Sequence, residues 1–368
     1  MRIALVNGWY LFSGGMEAVD DVIGTTFPEA DVFTMFYDPD RLPTSLRGRS
    51  IRGTFLQPFA NRATYRLLIP LYPCALETLD LRGYDLVISS DASMAKGVLC
   101  DEESKHICYC HTPWRQLYDL YWKSLEIVPL PLRPAYALTC NRLRQWDFVA
   151  AQRVDHFVAN SRYIQQRIRR YYRRDSTVIY PPVDTSKGYI AERHDNYYFS
   201  AGRLTHTKRL DLLITACNQM GRRLLIAGEG REERRLKAIS GRTIEFLGRV
   251  SDDDLRVLYA NCRAFLFAAN EDFGIVPVEA QAFGRPVIAY GHGGALETVR
   301  VSDPHGLSDT GVLFPYQTVD SLISGIRTFE SIEDTFDHAA IREHSHMFDT
   351  KVFVETLRAF VRCMVSGQ

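Results

Sequence analysis

Short apolar runs recur along the chain, and most are followed by stretches in which apolar positions return every three or four residues. In the first half, the runs at 3–6, 31–36, 85–89, 106–110, 156–159 and 177–179 predict strands, and 16–26 and the segment around 62–79 predict helices. In the second half the strands fall at 197–200, 223–227, 243–246, 264–267, 286–289 and 312–314. Helical spacing lies between them at 209–220, 232–239 and 252–261, then again near 319–329 and at 351–364. Strands alternating with helices predict parallel sheets wrapped by helices. Pro181, Pro182 and the polar run 184–196 interrupt the rhythm and predict a linker.

Length agrees with that division, since 368 residues suit two domains of roughly 150–200 residues each. The expected domains are 1–183, joined by a C-terminal helix at 346–368, and 184–345. Net charge is zero, with a slight basic excess before residue 190, so nothing points to nucleic acid as a partner. Eight scattered cysteines do not form a disulfide framework, and the chain opens directly on a strand-like run. No stretch is apolar enough for a membrane span. The expectation is a cytoplasmic protein, soluble or peripheral on the inner face of the plasma membrane.

The candidate chemistry lies in the second half. Residues 270–289, NEDFGIVPVEAQAFGRPVIA, read as a loop after a strand, a helix starting near Ile275, and the next strand. Pro277 fits the helix's first turn and Gly284 its end. Glu271 then sits on the loop and Glu279 about one turn into the helix, and both carboxylates are able to accept hydrogen bonds from sugar hydroxyls. The N–H groups near Phe273 and Gly274 are placed to approach a polar ligand. Residues 200–213, SAGRLTHTKRLDLL, read as a strand, a glycine turn and a helix with basic residues at its start. Cations are mildly unfavourable there, which a diphosphate held by Arg203 and Lys208 would explain.

These segments resemble family 4 retaining glycosyltransferases, which have the GT-B fold of two Rossmann-like domains facing a central cleft. The segment from Glu271 to Glu279 matches that family's Glu-x7-Glu motif. The resemblance implies that Glu271 and the amides of Phe273 and Gly274 meet the transferred sugar, and that Glu279 holds the nucleotide ribose. It implies that Arg203 and Lys208 stabilise the leaving diphosphate, and that the backbone at Arg249 and Val250 frames the base. Gly14 and Gly15, in the turn after the first strand, would approach the donor phosphates. His111, in YCHTPWR at 109–115, would lie beside the donor sugar and reaction centre. That last segment resembles mannosyltransferases of bacterial polysaccharide assembly, which implies a GDP-mannose donor, with a UDP-hexose as the alternative. The family's retention of anomeric configuration implies an α-linked product; the other reading is a non-catalytic nucleotide-sugar-binding scaffold of the same fold.

The expected acceptor is a glycan, either free or linked to a polyprenyl diphosphate. From Arg162 to Arg174 there are six arginines and no acid, with Tyr163, Ile164, Ile168, Tyr171 and Tyr172 interleaved. Such composition suits either a solvated helix or an anionic membrane surface. No metal is expected, because the acids at 252–254 open a helix, where acids are favourable anyway. No cofactor is expected; the nucleotide-sugar is a substrate. A nicotinamide dehydrogenase would need G-x-G-x-x-G after its first strand, and residues 7–15 lack it.

Overall fold

The computed structural model describes residues 1–12, 14–301 and 309–366. Ser13, beside the Gly14–Gly15 turn, and the last two residues of the expected C-terminal segment lie outside the described residues. Two compact units are present: Met1–Tyr180 with Phe353–Gln368, and Pro181–Val352.

The first unit carries β1 (Ile3–Tyr10), β2 (Asp31–Tyr37), β3 (Ile51–Arg52), β4 (Leu86–Asp91), β5 (Lys105–Cys110), β6 (His156–Ala159) and β7 (Ser176–Val178). They form one parallel sheet in the order β3-β2-β1-β4-β5-β6-β7. The second unit carries β8 (Tyr198–Ala201), β9 (Leu224–Ala227), β10 (Ile244–Gly248), β11 (Ala264–Phe267), β12 (Val287–Tyr290) and β13 (Gly311–Phe314). Its parallel sheet runs β10-β9-β8-β11-β12-β13. Both orders are doubly wound. The direction of progression reverses between β1 and β4 in one sheet and between β8 and β11 in the other, which opens a crevice at the strands' carboxyl ends.

Apolar side chains bury both faces of each sheet, which is why the strands read as continuous apolar runs. The C-terminal helix Thr350–Ser366 returns to the first unit, where Phe353, Leu357 and Val361 pack with Ile3, Leu5, Ile88 and Tyr109.

Three features depart from the sequence expectation. The 62–79 segment is a 3-10 stretch, Tyr65–Leu71, followed by a short helix, Tyr72–Glu77; Pro70 and Pro73 deny the continuous ladder an α-helix needs. The twenty-residue helix Arg133–Gln152 has no counterpart among the expected elements. Its apolar stripe is blurred because Leu138, Phe148 and Val149 point outward. Strand β3 is two residues at a sheet edge, too short to leave a pattern.

Candidate active site

In the second unit, β8 ends at Ala201 and the chain turns through Gly202, whose φ of +139° suits a residue without Cβ. A 3-10 turn, His206–Lys208, follows, and Arg209 adopts φ +51°. The α-helix therefore begins at Leu210, one residue after the expected start, and Lys208 lies in the turn before it. Arg209 is occupied structurally, with its guanidinium donating to Asp211 (3.1 Å) and Gln317 (3.1 Å). Lys208 Nζ instead donates to Glu271 Oε1 across the switch between β8 and β11. Gly202, Arg203, Lys208 and Phe267 line one small pocket there. Arg203 is exposed and has no ion-pair partner among the described residues.

Glu271 belongs to the loop leaving β11, which enters the helix Ile275–Ala282 through Gly274 at φ +92°. No side chain caps this helix. The loop is held from behind by a second glycine turn: Gly294 N–H donates to the Glu271 carbonyl (2.9 Å). A Cβ on Gly294 would come within 2.1 Å of the Phe273 carbonyl oxygen, so only glycine permits that approach. Phe273 anchors the loop with its ring edge-on to Phe348 at 5.4 Å.

About one turn into that helix, Glu279 Oε2 accepts from the Tyr259 hydroxyl at 2.8 Å. Burial raises the pKa of Glu279, opposed by that hydrogen bond, while Asp252 adds to the rise and Lys208 offsets it. Beside these groups the chain after β10 passes Gly248, at φ +65°, to an exposed Arg249 and a half-buried Val250. Ser251 caps the following helix by accepting from Asp254 N–H at 3.1 Å.

The first unit has its own polar cluster at the carboxyl ends of its central strands. His111 follows β5 directly and is buried, with Nε2 2.9 Å from Ser90 Oγ on β4. Burial lowers its pKa to about 4 despite the nearby Asp91, so the ring is neutral at pH 7. Next to it, Asp91 accepts from the Ser93 and Ala95 amides at 2.9 and 2.7 Å, fixing the loop after β4. Lys96 is fully buried between Asp91 (3.0 Å) and Asp147 (2.6 Å). Burial pulls its pKa down, but Asp147 and Asp91 outweigh that and keep it cationic. Gly14 caps the helix Gly15–Thr26 in extended backbone with φ −179°, a conformation open to any residue. Both Gly14 and Gly15 are exposed.

Residues 28–187 match the family described as Glycosyltransferase Family 4, and residues 185–345 match Glycosyl transferases group 1. The chain belongs to the family 4 glycosyltransferases. This glycosyltransferase is 25% identical over 320 residues to the alpha-1,3/1,6-mannosyltransferase ALG2 of Candida glabrata, covering 71% of this chain and 65% of that protein. Over 155 residues it is 35% identical to a GDP-mannose-dependent monoacylated alpha-(1-6)-phosphatidylinositol monomannoside mannosyltransferase of Corynebacterium glutamicum, 38% of each chain. Its fold superposes on sucrose-phosphate synthase from Thermosynechococcus elongatus with a TM-score of 0.75, covering all of both chains at 17% identity.

Within the second unit of the glycosyltransferase, the fold puts Arg203 and Lys208 on one pocket and pairs Lys208 with Glu271, although 63 residues separate the last two. Phe273, Gly274 and Glu279 follow on the same loop and helix. Tyr259, Gly293, Gly294, Ser90 and the Asp91–Lys96–Asp147 cluster were not singled out from the sequence. Lone polar residues on helices and glycine pairs in loops carry no spacing signal, and their partners are distant in the chain.

Proposed function

We propose that the chain is a retaining mannosyltransferase that moves mannose from GDP-mannose to a glycan acceptor, lipid-linked in the cell, forming an α-linkage. The observation that carries this reading is the Lys208–Glu271 pair at the sheet's switch point, beside Arg203 and one strand-to-helix connection away from Glu279. The similarity to proteins named as mannosyltransferases supports the sugar and the donor.

Arg203 and Lys208 neutralise the diphosphate as the anomeric C–O bond breaks. Glu271 and the amides of Phe273 and Gly274 orient the sugar, Glu279 accepts from the ribose hydroxyls, and the backbone at Arg249 and Val250 frames the base. The neutral His111 hydrogen-bonds the sugar, and Gly14 and Gly15 offer amides to the phosphates. The acceptor oxygen attacks from the face the diphosphate leaves, and the departing phosphate oxygen takes the acceptor's proton. Charge supplied by Arg203 and Lys208 makes a metal dispensable, so turnover is expected to persist in a chelator.

Thermal stabilisation by a panel of GDP, UDP, ADP and their sugar conjugates tests the donor. A shift with GDP and GDP-mannose is expected. Selectivity for UDP compounds would replace the mannosyl reading with another hexose, and no shift with any nucleotide would overturn the donor site.

A further inference from the structure

The most exposed large apolar side chains of the first unit are concentrated in one stretch that the sequence pattern did not single out. Ile127 is 85% exposed, Leu130 72% and Trp122 71%, with Leu132 and Leu138 also more than half exposed. They lie on the short helix Tyr121–Ile127, the turn Leu130–Leu132 and the first turns of the helix Arg133–Gln152. Pro129, Pro131 and Pro134 fix the turn, and Arg133 ties it down by donating to the carbonyls of Val128 (3.1 Å) and Glu126 (3.1 Å). The side chains are thus presented on an ordered scaffold. Beneath them, Tyr121 and Tyr136 stack 6.3 Å apart on a core cluster that also holds Tyr65, Leu68 and Ile69. The stretch over that neighbouring part of the cluster exposes Phe59 and Leu67, with Leu67 at 78%.

Charge around this apolar surface is predominantly positive. Between Trp122 and Arg144 stand Lys123, Arg133, Arg142 and Arg144 against the single acid Glu126, and residues 55–72 add Arg62 and Arg66 with no acid. Scattered exposed apolar residues are ordinary, but this concentration on a basic-rimmed, ordered scaffold is not. A second copy of the chain is a poor occupant, because patch-on-patch contact would set these cations against each other. An anionic lipid surface satisfies both features: the side chains enter the boundary between headgroups and acyl chains while the cations meet the headgroups.

We infer that residues 122–138, flanked by Phe59–Leu67, form an interfacial docking element for an anionic bilayer. The basic helix Arg162–Tyr172, by contrast, spends its apolar residues inward. Ile164, Ile168 and Tyr172 are buried, and Arg167 pairs with Asp119 at 2.6 Å. Its exposed positions, Arg162, Gln166, Arg169 and Arg170, are all charged or polar and offer no apolar side chain for insertion. No helix among the described residues is long and apolar enough to cross a membrane, so the contact is one of lying on the surface. The inference does not depend on the mannosyl reading, because binding is read without turnover.

The test is flotation of the full chain with phosphatidylcholine vesicles containing or lacking phosphatidylglycerol. Anionic vesicles are expected to carry the protein, less so at high salt, and brominated lipid to quench emission that Trp122→Phe removes. Ile127→Ser combined with Leu130→Ser is expected to weaken binding by about tenfold or more while leaving nucleotide-induced thermal stabilisation intact. Arg169→Glu with Arg170→Glu is expected to weaken it far less. Absence of binding to anionic vesicles, unchanged binding by the Ile127/Leu130 variant, or greater loss from the Arg169/Arg170 variant would each overturn the proposal.

Discussion

The Lys208–Glu271 pair shows how little of this site is there for stability. Both side chains retain some solvent contact, at 19% and 27%, and such pairs contribute at most about 1 kcal/mol. Lys208→Ala is therefore expected to change the unfolding free energy by less than about 1 kcal/mol. If Lys208 meets the departing diphosphate, the same variant loses about 10²–10³ in kcat. Denaturant titration and steady-state kinetics on one preparation separate the two; a kcat within a factor of about three of wild type would remove Lys208 from the chemistry. The buried histidines give a residue-scale pH prediction. His106 and His111 are both held near pKa 4 by burial, against an unfolded value of about 6.5. Their folded values are depressed, so the unfolded chain takes protons first as pH falls from about 6.5 towards 4, and stability is lost in that window. At pH 5 each ring costs about 2 kcal/mol relative to pH 7.5. Urea unfolding at the two pH values checks this, and equal stabilities would contradict the burial of both neutral rings.

At the scale of elements, one loop and the helix it enters carry Glu271, Phe273, Gly274 and Glu279 of the candidate donor site, and the entry to that helix is set by backbone rather than side chains. Gly274→Ala places a Cβ at φ +92° and is expected to cost roughly 1–2 kcal/mol. It also turns the amides of residues 273 and 274, so KM for the donor should rise. Ser251→Ala offers the contrast: loss of its cap costs about 1 kcal/mol with donor KM unchanged. Calorimetric Tm and donor KM for the two variants separate the roles. Parallel effects on KM would mean that the glycine matters only through stability. The Glu-x7-Glu spacing was legible in the sequence because it is confined to one loop and the helix that follows it. Tyr259 was not, because its partner Glu279 is 20 residues away and an isolated tyrosine on a helix has no pattern.

At the scale of the molecule, the first unit is completed by chain from the far end. Leu357 is fully buried among residues of β1, β4 and β5 and the helix Gly15–Thr26. Leu357→Ala is expected to destabilise by about 2–5 kcal/mol, and to do so in the first unit. Hydrogen exchange would show lost protection in β1 and β4 while nucleotide still stabilises the second unit. Uniform loss across both units would contradict the independence of the two cores, and no loss would contradict the packing of Leu357 in the first.

The alternation of apolar runs and helical spacing determined two parallel α/β units, because strands buried on both faces need continuous apolar runs and their crossovers need helices. It also determined which residues follow strand ends, since Gly202 and His111 come directly after β8 and β5 and Glu271 lies on the loop leaving β11. Only the tertiary structure decided the partners: Lys208 with Glu271, Glu279 with Tyr259, His111 with Ser90, and the buried lysine between Asp91 and Asp147. It also decided that the aromatic residues of the basic helix face inward while Trp122 and Ile127 face out. Local spacing records the period of an element. Which of its sides meets the core depends on neighbours brought together by strand order, and no stretch of sequence contains that order.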